Sequence, residues 1–268
     1  MIHMIIVDSH VHSNLHIYEP VEIVLAQMDL NSVSKTVLVQ STTTTDNSYL
    51  IESAVRFPSK FSVVCRVDVD DPYANEALEF NRKSGVDGLR LRNFQRSPGP
   101  DPLAIWRNAE KLGFSVSVGG PPDIFASREF QELVEQVPDL TIVMEHLGGM
   151  GEFALGDHIQ RFGHPYNDFK KILKLAKRPN IYMKIHGMGE ICPPPYPYVD
   201  IPPLLEMAYA TFGPERLMWG SDFPPVSLRE GYRNALRFTM DQMNYCNGTD
   251  LEWIFGKTAL SVYSFDEK

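Results

Sequence analysis

Short apolar segments alternate with amphipathic segments along the whole chain of 268 residues. The apolar segments carry hydrophobic side chains on both faces, as parallel strands do when helices cover one side and a barrel core covers the other. This pattern predicts eight strands. They fall at residues 4–10, 35–40, 61–68, 86–92, 114–119, 140–146, 181–186 and 216–222.

The amphipathic segments between these strands predict helices. Asp101 and Pro102 read as a capping residue followed by a first-turn proline, and Gly85 and Gly113 stand where helices commonly end. A last helix at 250–265 is expected to cover the barrel. The other predicted helices lie at 20–33, 47–57, 74–84, 101–112, 127–136, 166–177, 203–212 and 228–243.

Eight strand–helix units without a break in composition predict one α/β domain over residues 1–268, folded as a (β/α)8 TIM barrel. A doubly wound sheet competes with this fold, but it has no place for eight strands, and the segment GVDGLRL lacks the GxGxxG spacing of a dinucleotide site. Two long insertions, 147–165 and 187–203, follow the sixth and seventh strands. In a barrel this is the active-site end, so we expect the insertions to form walls or lids over a substrate.

Composition narrows the class of protein. The formal net charge of −9 argues against nucleic-acid binding. No apolar stretch approaches the roughly 18 residues of a membrane span, and the N-terminal apolar run lacks the features of a signal peptide. Three cysteines without a CxxC pair fit a reducing compartment. We therefore expect a cytoplasmic enzyme with a small-molecule substrate; whether it forms a homo-oligomer is left open.

Polar side chains follow the first, sixth and eighth predicted strands. His10 and His12 share one side of the first strand because the side-chain period of a strand is two. The first and eighth strands of a closed barrel are neighbours, so Asp222 is expected beside these histidines, with His146 facing them across the mouth. Imidazoles with one carboxylate suit a divalent metal such as Zn²⁺ or Mn²⁺. The same cluster also works without a metal if Asp222 is a general base.

Four segments carry a family resemblance. DSHVH, VMEHLGG, PNIYMKIHG and FGPERLMWGSDFP resemble the amidohydrolase-related family of the amidohydrolase superfamily, the branch with lactonases and aminocarboxymuconate-semialdehyde decarboxylase. The resemblance covers nearly the whole chain. It implies a distorted TIM barrel with its site at the strand C-termini, and it places His10, His12, His146 and Asp222 at metal or catalytic positions.

The chain departs from this pattern after the seventh strand. Relatives often have Lys-x-Ser-Gly there, whereas this chain has Lys184-Ile185-His186-Gly187. Lys184 and His186 lie on one face of the strand. Three roles remain open for His186, namely a metal ligand, an acid/base group or a substrate contact. We expect His186 or Lys184 to assist the leaving oxygen.

Further candidates concern substrate binding. Arg90 and Arg92 share one side of the fourth strand and suit bidentate capture of a carboxylate. The alternative is that they form ion pairs with Asp68 or Asp70. Two further residues are candidates for binding substrate hydroxyls, namely Gln40 after the second strand and Glu190 in the proline-rich insertion. Together with Arg90 and Arg92 they are the predicted substrate-binding residues.

Taken together, these features predict a hydrolase that opens a lactone of a small carboxylated molecule, such as a sugar acid or a product of aromatic degradation. Water activated by Asp222, with or without a metal, attacks the carbonyl. Two alternatives stay open. One is a non-oxidative, metal-dependent decarboxylase that uses the same residues, and the other is a barrel that binds a small acid without catalysis.

Overall fold

Eight parallel strands follow one another around a barrel in the order in which they occur in the chain. The computed structural model describes residues 4–151 and 166–265. Each strand pairs in parallel with the next one along the chain. The predicted (β/α)8 architecture is confirmed. The strands are β1 (Val7–Val11), β2 (Lys35–Val39), β3 (Phe61–Cys65), β4 (Gly88–Arg92), β5 (Ser115–Gly119), β6 (Ile142–Met144), β7 (Ile181–Ile185) and β8 (Leu217–Trp219).

Helices connect these strands and form the outer layer. Between β5 and β6 the chain forms two helices rather than the single one predicted, because a short helix begins at Pro122. The helices are α1 (Val21–Asn31), α2 (Ser48–Arg56), α3 (Ala74–Lys83), α4 (Ala104–Leu112), α5 (Pro122–Ala126), α6 (Arg128–Gln136), α7 (Asn167–Leu173), α8 (Leu204–Phe212), α9 (Tyr232–Gln242), α10 (Gly248–Glu252) and α11 (Thr258–Val262).

Several predicted boundaries were wrong at their ends. Helix α4 begins at Ala104 and not at Asp101, whose carboxylate accepts a hydrogen bond from Leu103 N instead of capping the helix. The predicted helix 228–243 begins at Tyr232, after a 3₁₀ turn at Pro225–Leu228. The last turn of the helix predicted at 166–177 is 3₁₀, and the closing helix is interrupted by a π turn between α10 and α11.

Strands β6 and β8 are shorter than predicted. The chain leaves β6 at Met144 because His146 and Leu147 adopt left-handed backbone angles, with φ of 50° and 53°. It leaves β8 at Trp219, and Asp222 likewise has a φ of 56°. In both places the tight turn brings a polar side chain back over the mouth of the barrel.

The barrel closes between β1 and the segment after β8 without a regular ladder. A single parallel bridge joins Val11 to Phe223, Asp222 N donates to His10 O at 3.0 Å, and His12 N donates to Phe223 O at 2.8 Å. Gly220 makes this approach feasible, because a Cβ atom there would lie 2.7 Å from the Cβ of His10. We refer to these contacts as the β1–β8 seam.

The two insertions differ in what the structure describes. Most of the first, residues 152–165, lies outside the described residues. The second is buried at its start, where the 3₁₀ turn at Met188–Glu190 and Cys192 pack against the barrel, and Tyr198 is buried too. Residues 194–197 and 199–200 are exposed. In the described part of the chain, no helix has the length and apolarity that crossing a bilayer requires.

The π turn at Trp253–Lys257 packs directly on the start of β1. A Cβ atom at Gly256 would lie 2.0 Å from the carbonyl oxygen of Ile5. We therefore expect Gly256→Ala to lower the free energy of unfolding by about 1–3 kcal/mol, the usual cost of overpacking. Gly248→Ala is the matched control, because a Cβ atom at Gly248 meets nothing within 4 Å. Urea unfolding of both variants measures the difference, and equal stability would contradict the packing described here.

Candidate active site

The residues predicted as metal ligands meet at the carboxyl ends of the strands. Nε2 of His10 lies 3.3 Å from Nε2 of His12. Asp222 Oδ1 lies 3.6 Å from His12 Nε2 and 4.0 Å from His10 Nε2. The ring centroid of His146 lies 5.2 Å from that of His10. All four side chains are buried. The fold therefore brings together the four residues that the sequence predicts to be near one another.

The protons in this cluster are ordered by one backbone carbonyl. His12 Nδ1 lies 2.7 Å from Val39 O, which can only accept, so Nδ1 carries the hydrogen and Nε2 of neutral His12 is an acceptor. His10 Nε2 therefore donates to His12 Nε2, and His10 Nδ1 accepts from Lys184 Nζ at 3.3 Å. We call this series of Lys184, His10 and His12 the imidazole row.

Both imidazoles of the row are held neutral. Burial lowers the pKa of His12 to about 3, and the positive charge of Arg90 acts in the same direction. Burial also lowers the pKa of His10 well below its usual range, assisted by the charge of Lys184. Neutral imidazole is the form that binds metals.

His146 is oriented by a carboxylate. Its Nδ1 lies 3.0 and 3.1 Å from the two carboxylate oxygens of Glu190. Burial alone lowers the pKa of His146, but the charges of Glu190 and Asp222 outweigh burial and raise it. Glu190, predicted to bind substrate hydroxyls, is itself buried and contacts His146 in this structure. A carboxylate on Nδ1 is the usual way to orient a metal-binding histidine.

Asp222 occupies a strained and desolvated position. Its left-handed backbone is uncommon for a residue other than glycine and is held by the β1–β8 seam. Burial raises the pKa of Asp222 to about 7, although His146 acts in the opposite direction. Arg229, which the sequence analysis missed, places Nη2 3.3 Å from both Asp222 Oδ2 and Glu190 Oε1. Nothing in the sequence marks this loop arginine.

Lys184 lies beneath the site and not beside a reacting group. It is fully buried, its Nζ contacts His10 Nδ1, and it stands 5.7 Å from the centroid of the Tyr263 ring. Burial lowers the pKa of Lys184 to about 8. The prediction that Lys184 assists the leaving oxygen does not agree with this position, because His10 separates the amine from the mouth.

His186 lies in the site, stacked on His146 with ring centroids 4.1 Å apart and an angle of 13° between the ring planes. Its ring is 5.0 Å from that of His10. Burial lowers the pKa of His186 well below its usual value. Among residues 4–151 and 166–265, neither ring nitrogen of His186 has a hydrogen-bond partner.

Arg90 forms a buried ion pair with Glu145, and not with Asp68 or Asp70. Its Nη2 lies 2.8 Å from Glu145 Oε2, and Nε lies 3.1 Å from Oε1. Burial would raise the pKa of Glu145, but Arg90 and Lys184 outweigh it and lower this pKa. The guanidinium expected to capture a substrate carboxylate thus already binds one from the protein.

Gln40 and Arg92, the other two predicted substrate-binding residues near Arg90, differ in whether they contact the protein deep in the barrel or lie nearer the solvent. Gln40 uses its side chain to hold the following loop, donating to Asp46 O at 2.6 Å and accepting from Ser41 N at 2.8 Å. Its backbone oxygen accepts from Arg90 Nη1 at 2.9 Å. Arg92, at the end of β4, is only half-buried. Arg92 is therefore nearer the solvent than Arg90 or Gln40, although the charge of Glu145 also acts on it.

A second group missed by the sequence analysis supports the seam. Asp8 is fully buried on β1 and accepts hydrogen bonds from Ser221 N at 2.8 Å, His10 N at 3.2 Å and Tyr232 Oη at 2.8 Å. Burial raises the pKa of Asp8 to about 6. A carboxylate inside an apolar strand is a signal for such a role, since a buried carboxylate needs partners. We call these contacts the Asp8 clasp.

The residues present fit a divalent metal. In the imidazole row one shared proton lies between the facing Nε2 atoms of His10 and His12, and a cation would replace that proton. His10, His146 and Asp222 also offer ligand atoms that all lie within 4.8 Å of one another. Nitrogen ligands with one carboxylate oxygen suit Zn²⁺, with Mn²⁺, Fe²⁺ or Co²⁺ as other candidates.

Comparison with known proteins identifies the family. The Amidohydro_2 family model, described as amidohydrolase, matches residues 7–265. The chain belongs to the amidohydrolase family. Among curated proteins it is similar to 4-sulfomuconolactone hydrolase of Hydrogenophaga intermedia, with 26% identity over an alignment of 208 positions. That alignment covers 73% of this chain and 60% of the relative, so the chain spans about three fifths of the relative's length.

Solved structures of this family share the fold. A protein of Acinetobacter baumannii, assigned as a 2-pyrone-4,6-dicarboxylic acid hydrolase and solved with citric acid bound, has 20% identity and a TM-score of 0.73, covering 97% of this chain and 99% of its own. An amidohydrolase of Burkholderia multivorans with bound Zn has 18% identity and a TM-score of 0.73, covering 96% and 98%. At these identities the likeness shows the fold.

The Asp8 clasp gives a test of how the seam is held. Asp8→Ala leaves the buried N–H groups of Ser221 and His10 without acceptors, so we expect the free energy of unfolding to fall by about 2–4 kcal/mol. Asp8→Asn keeps one acceptor oxygen for these N–H groups and should recover most of the loss. Urea unfolding compares the two variants. If the Asp8 clasp did not stabilise the fold, Asp8→Ala and Asp8→Asn would have the same free energy of unfolding.

Proposed function

We propose that this protein is a lactonase that hydrolyses a cyclic ester of a small carboxylated acid. One observation carries the proposal. His10 Nε2, His12 Nε2 and Asp222 Oδ1 lie within 4.0 Å of one another at the mouth of the barrel, in a chain of the amidohydrolase family. The similarity to 4-sulfomuconolactone hydrolase supports a lactone as the substrate. Hydrolysis of a lactone is also the reaction that the sequence predicts.

In this proposal a divalent metal is held by His10, His12, His146 and Asp222. When bound, such a metal lowers the pKa of water and polarises a carbonyl group. The protein supplies the orientation of the ligands. Val39 O fixes the ring of His12, and Glu190 fixes the ring of His146. The zinc-containing Burkholderia multivorans structure supports the choice of zinc.

Asp222 is the proposed general base. Its carboxylate takes a proton from a water molecule whose oxygen bonds to the carbonyl carbon of the lactone. The bond between that carbon and the ring oxygen then breaks, and Asp222 returns the proton to the ring oxygen to give a hydroxy acid. Arg229 contacts Asp222 Oδ2, which leaves Oδ1 on the side of His10 and His12. A role for His186 in proton return stays a prediction.

Arg92 and Arg229 are the proposed contacts of the substrate carboxylate. Arg229 has a side-chain exposure of 16%, and Arg92 is half-buried, whereas Arg90 is 4% exposed and paired with Glu145. Guanidinium groups bind carboxylates in bidentate geometry. The citric acid bound by the Acinetobacter baumannii structure supports an acidic ligand in this fold.

Activity on a lactone panel tests the function. We expect turnover of a carboxylated lactone, its loss after treatment with EDTA, and its recovery with added Zn²⁺. Asp222→Asn should lower kcat at least about a hundredfold, because general base catalysis is removed. Retention of more than about a tenth of the activity would end its assignment as the base.

The same panel separates the alternatives. Lactone opening that survives chelation would make Asp222 a base that works without metal. Release of CO₂ from a carboxylated aromatic acid, with no lactone opening, would assign a decarboxylase instead. A protein that binds these acids without turning any of them over would be the non-catalytic barrel.

The two arginines of β4 give a matched pair of substitutions. Arg92→Lys removes a bidentate donor from the substrate and should raise KM by about tenfold with little change in kcat. Arg90→Lys breaks the fork that binds Glu145 and should lower the free energy of unfolding by about 2–4 kcal/mol. Steady-state kinetics and urea unfolding of both variants measure these effects. If Arg92→Lys leaves KM unchanged, the carboxylate binds elsewhere.

A further inference from the structure

His186 is a buried side chain whose ring nitrogens form no hydrogen bond with the part of the chain that the structure describes. It is 3% exposed, and among the described residues neither Nδ1 nor Nε2 makes a hydrogen bond. Buried polar groups are almost always hydrogen-bonded, and leaving one unpaired costs free energy. The position of His186 therefore indicates a ligand that occupies one of its ring nitrogens.

A carboxylate lies beside the same nitrogen. Glu190 Oε1 is 3.7 Å from His186 Nδ1, too far for a hydrogen bond, and 3.1 Å from His146 Nδ1. The rings of His186 and His146 are nearly parallel, and the two distances show that each has its Nδ1 on the side of the same carboxylate. One ligand atom from each of the three buried residues lies within 4.8 Å of the other two.

We propose that His186, Glu190 and His146 form a second divalent-cation site, separate from the group of His10, His12 and Asp222. Ligand atoms around a tetrahedral Zn²⁺ lie roughly 3.3 Å apart, as follows from metal–ligand distances of about 2.0–2.1 Å. The distances from Glu190 Oε1 to the two Nδ1 atoms, 3.1 and 3.7 Å, bracket this value. Two imidazoles and one carboxylate leave a fourth position for water or substrate.

Binding at this second site displaces a proton and competes with a charge. His146 Nδ1 now donates to Glu190, so a cation bound there releases that proton to solvent. Arg229 Nη2 lies 3.3 Å from Glu190 Oε1 and competes for the carboxylate. The inference rests on the proposed function in one respect, because the two groups share His146. If both groups were filled, His146 would have to contribute one ring nitrogen to each ion.

Metal content of the full-length protein tests this inference. The purified protein is stripped with chelator, dialysed against Zn²⁺ and analysed for zinc per chain. We expect about two ions in the unaltered protein and about one in His186→Ala, which removes a ligand of the second site alone. Glu190→Gln should hold about one ion or fewer, because it also removes the carboxylate that orients His146. Glu190→Gln is nearly isosteric, so it reports on the charge even if the alanine variant folds poorly.

Two further variants separate the sites. His16→Ala removes an exposed histidine and is the matched control, expected to keep about two ions. His10→Ala with His12→Ala should lose the first ion and keep the second. Retention of zinc in that double variant, with loss in Glu190→Gln, supports the second site even if the proposed function fails. A protein whose zinc content is the same with and without His186 and Glu190 overturns the inference.

Discussion

The burial of charge at one end of the barrel is the constraint on which the rest of the structure depends. The buried ionisable side chains at this end include His10, His12, Arg90, Glu145, His146, Lys184, His186, Glu190 and Asp222. Isolated charges cannot be buried at this density, so each carboxylate has a cationic or imidazole neighbour. The result is a network in which most of these side chains are held by hydrogen bonds or ion pairs to one another.

These restraints explain why Arg90 and Gln40, expected from the sequence to contact substrate, use their polar atoms on the protein. Arg90 and Glu145 neutralise each other beneath the mouth, and Ser117 adds a hydrogen bond to Glu145 Oε1 at 2.8 Å. Lys184 completes the layer below His10. Arg229 lies nearer the solvent, with a side-chain exposure of 16%, and Arg92 is half-buried. Arginines at this end of the barrel therefore differ in depth, and the deepest of them pairs with the protein.

The fold and the clustering of the four candidate metal ligands were predictable from sequence because both depend on local pattern. The eight apolar runs and the placement of His10, His12, His146 and Asp222 after strands need only periodicity and the geometry of a closed barrel. The roles of Lys184 and Gln40 were not predictable in this way. They depend on depth within the barrel and on contacts made by distant segments, which a single strand pattern does not contain. Arg229 lies in an irregular loop without periodicity, so the sequence carried no signal for it.

The β1–β8 seam joins the two ends of the chain. Asp8 and Ser221 are 213 positions apart, and Asp8 and Tyr232 are 224 apart, yet their hydrogen bonds position His10 and Asp222. Contacts of such long range form late in folding, because loop closure must be achieved before they stabilise anything. A chain still on the ribosome holds His10 and His12 but not Asp222. The four residues proposed as metal ligands therefore come together only in the finished barrel, after synthesis has passed Asp222.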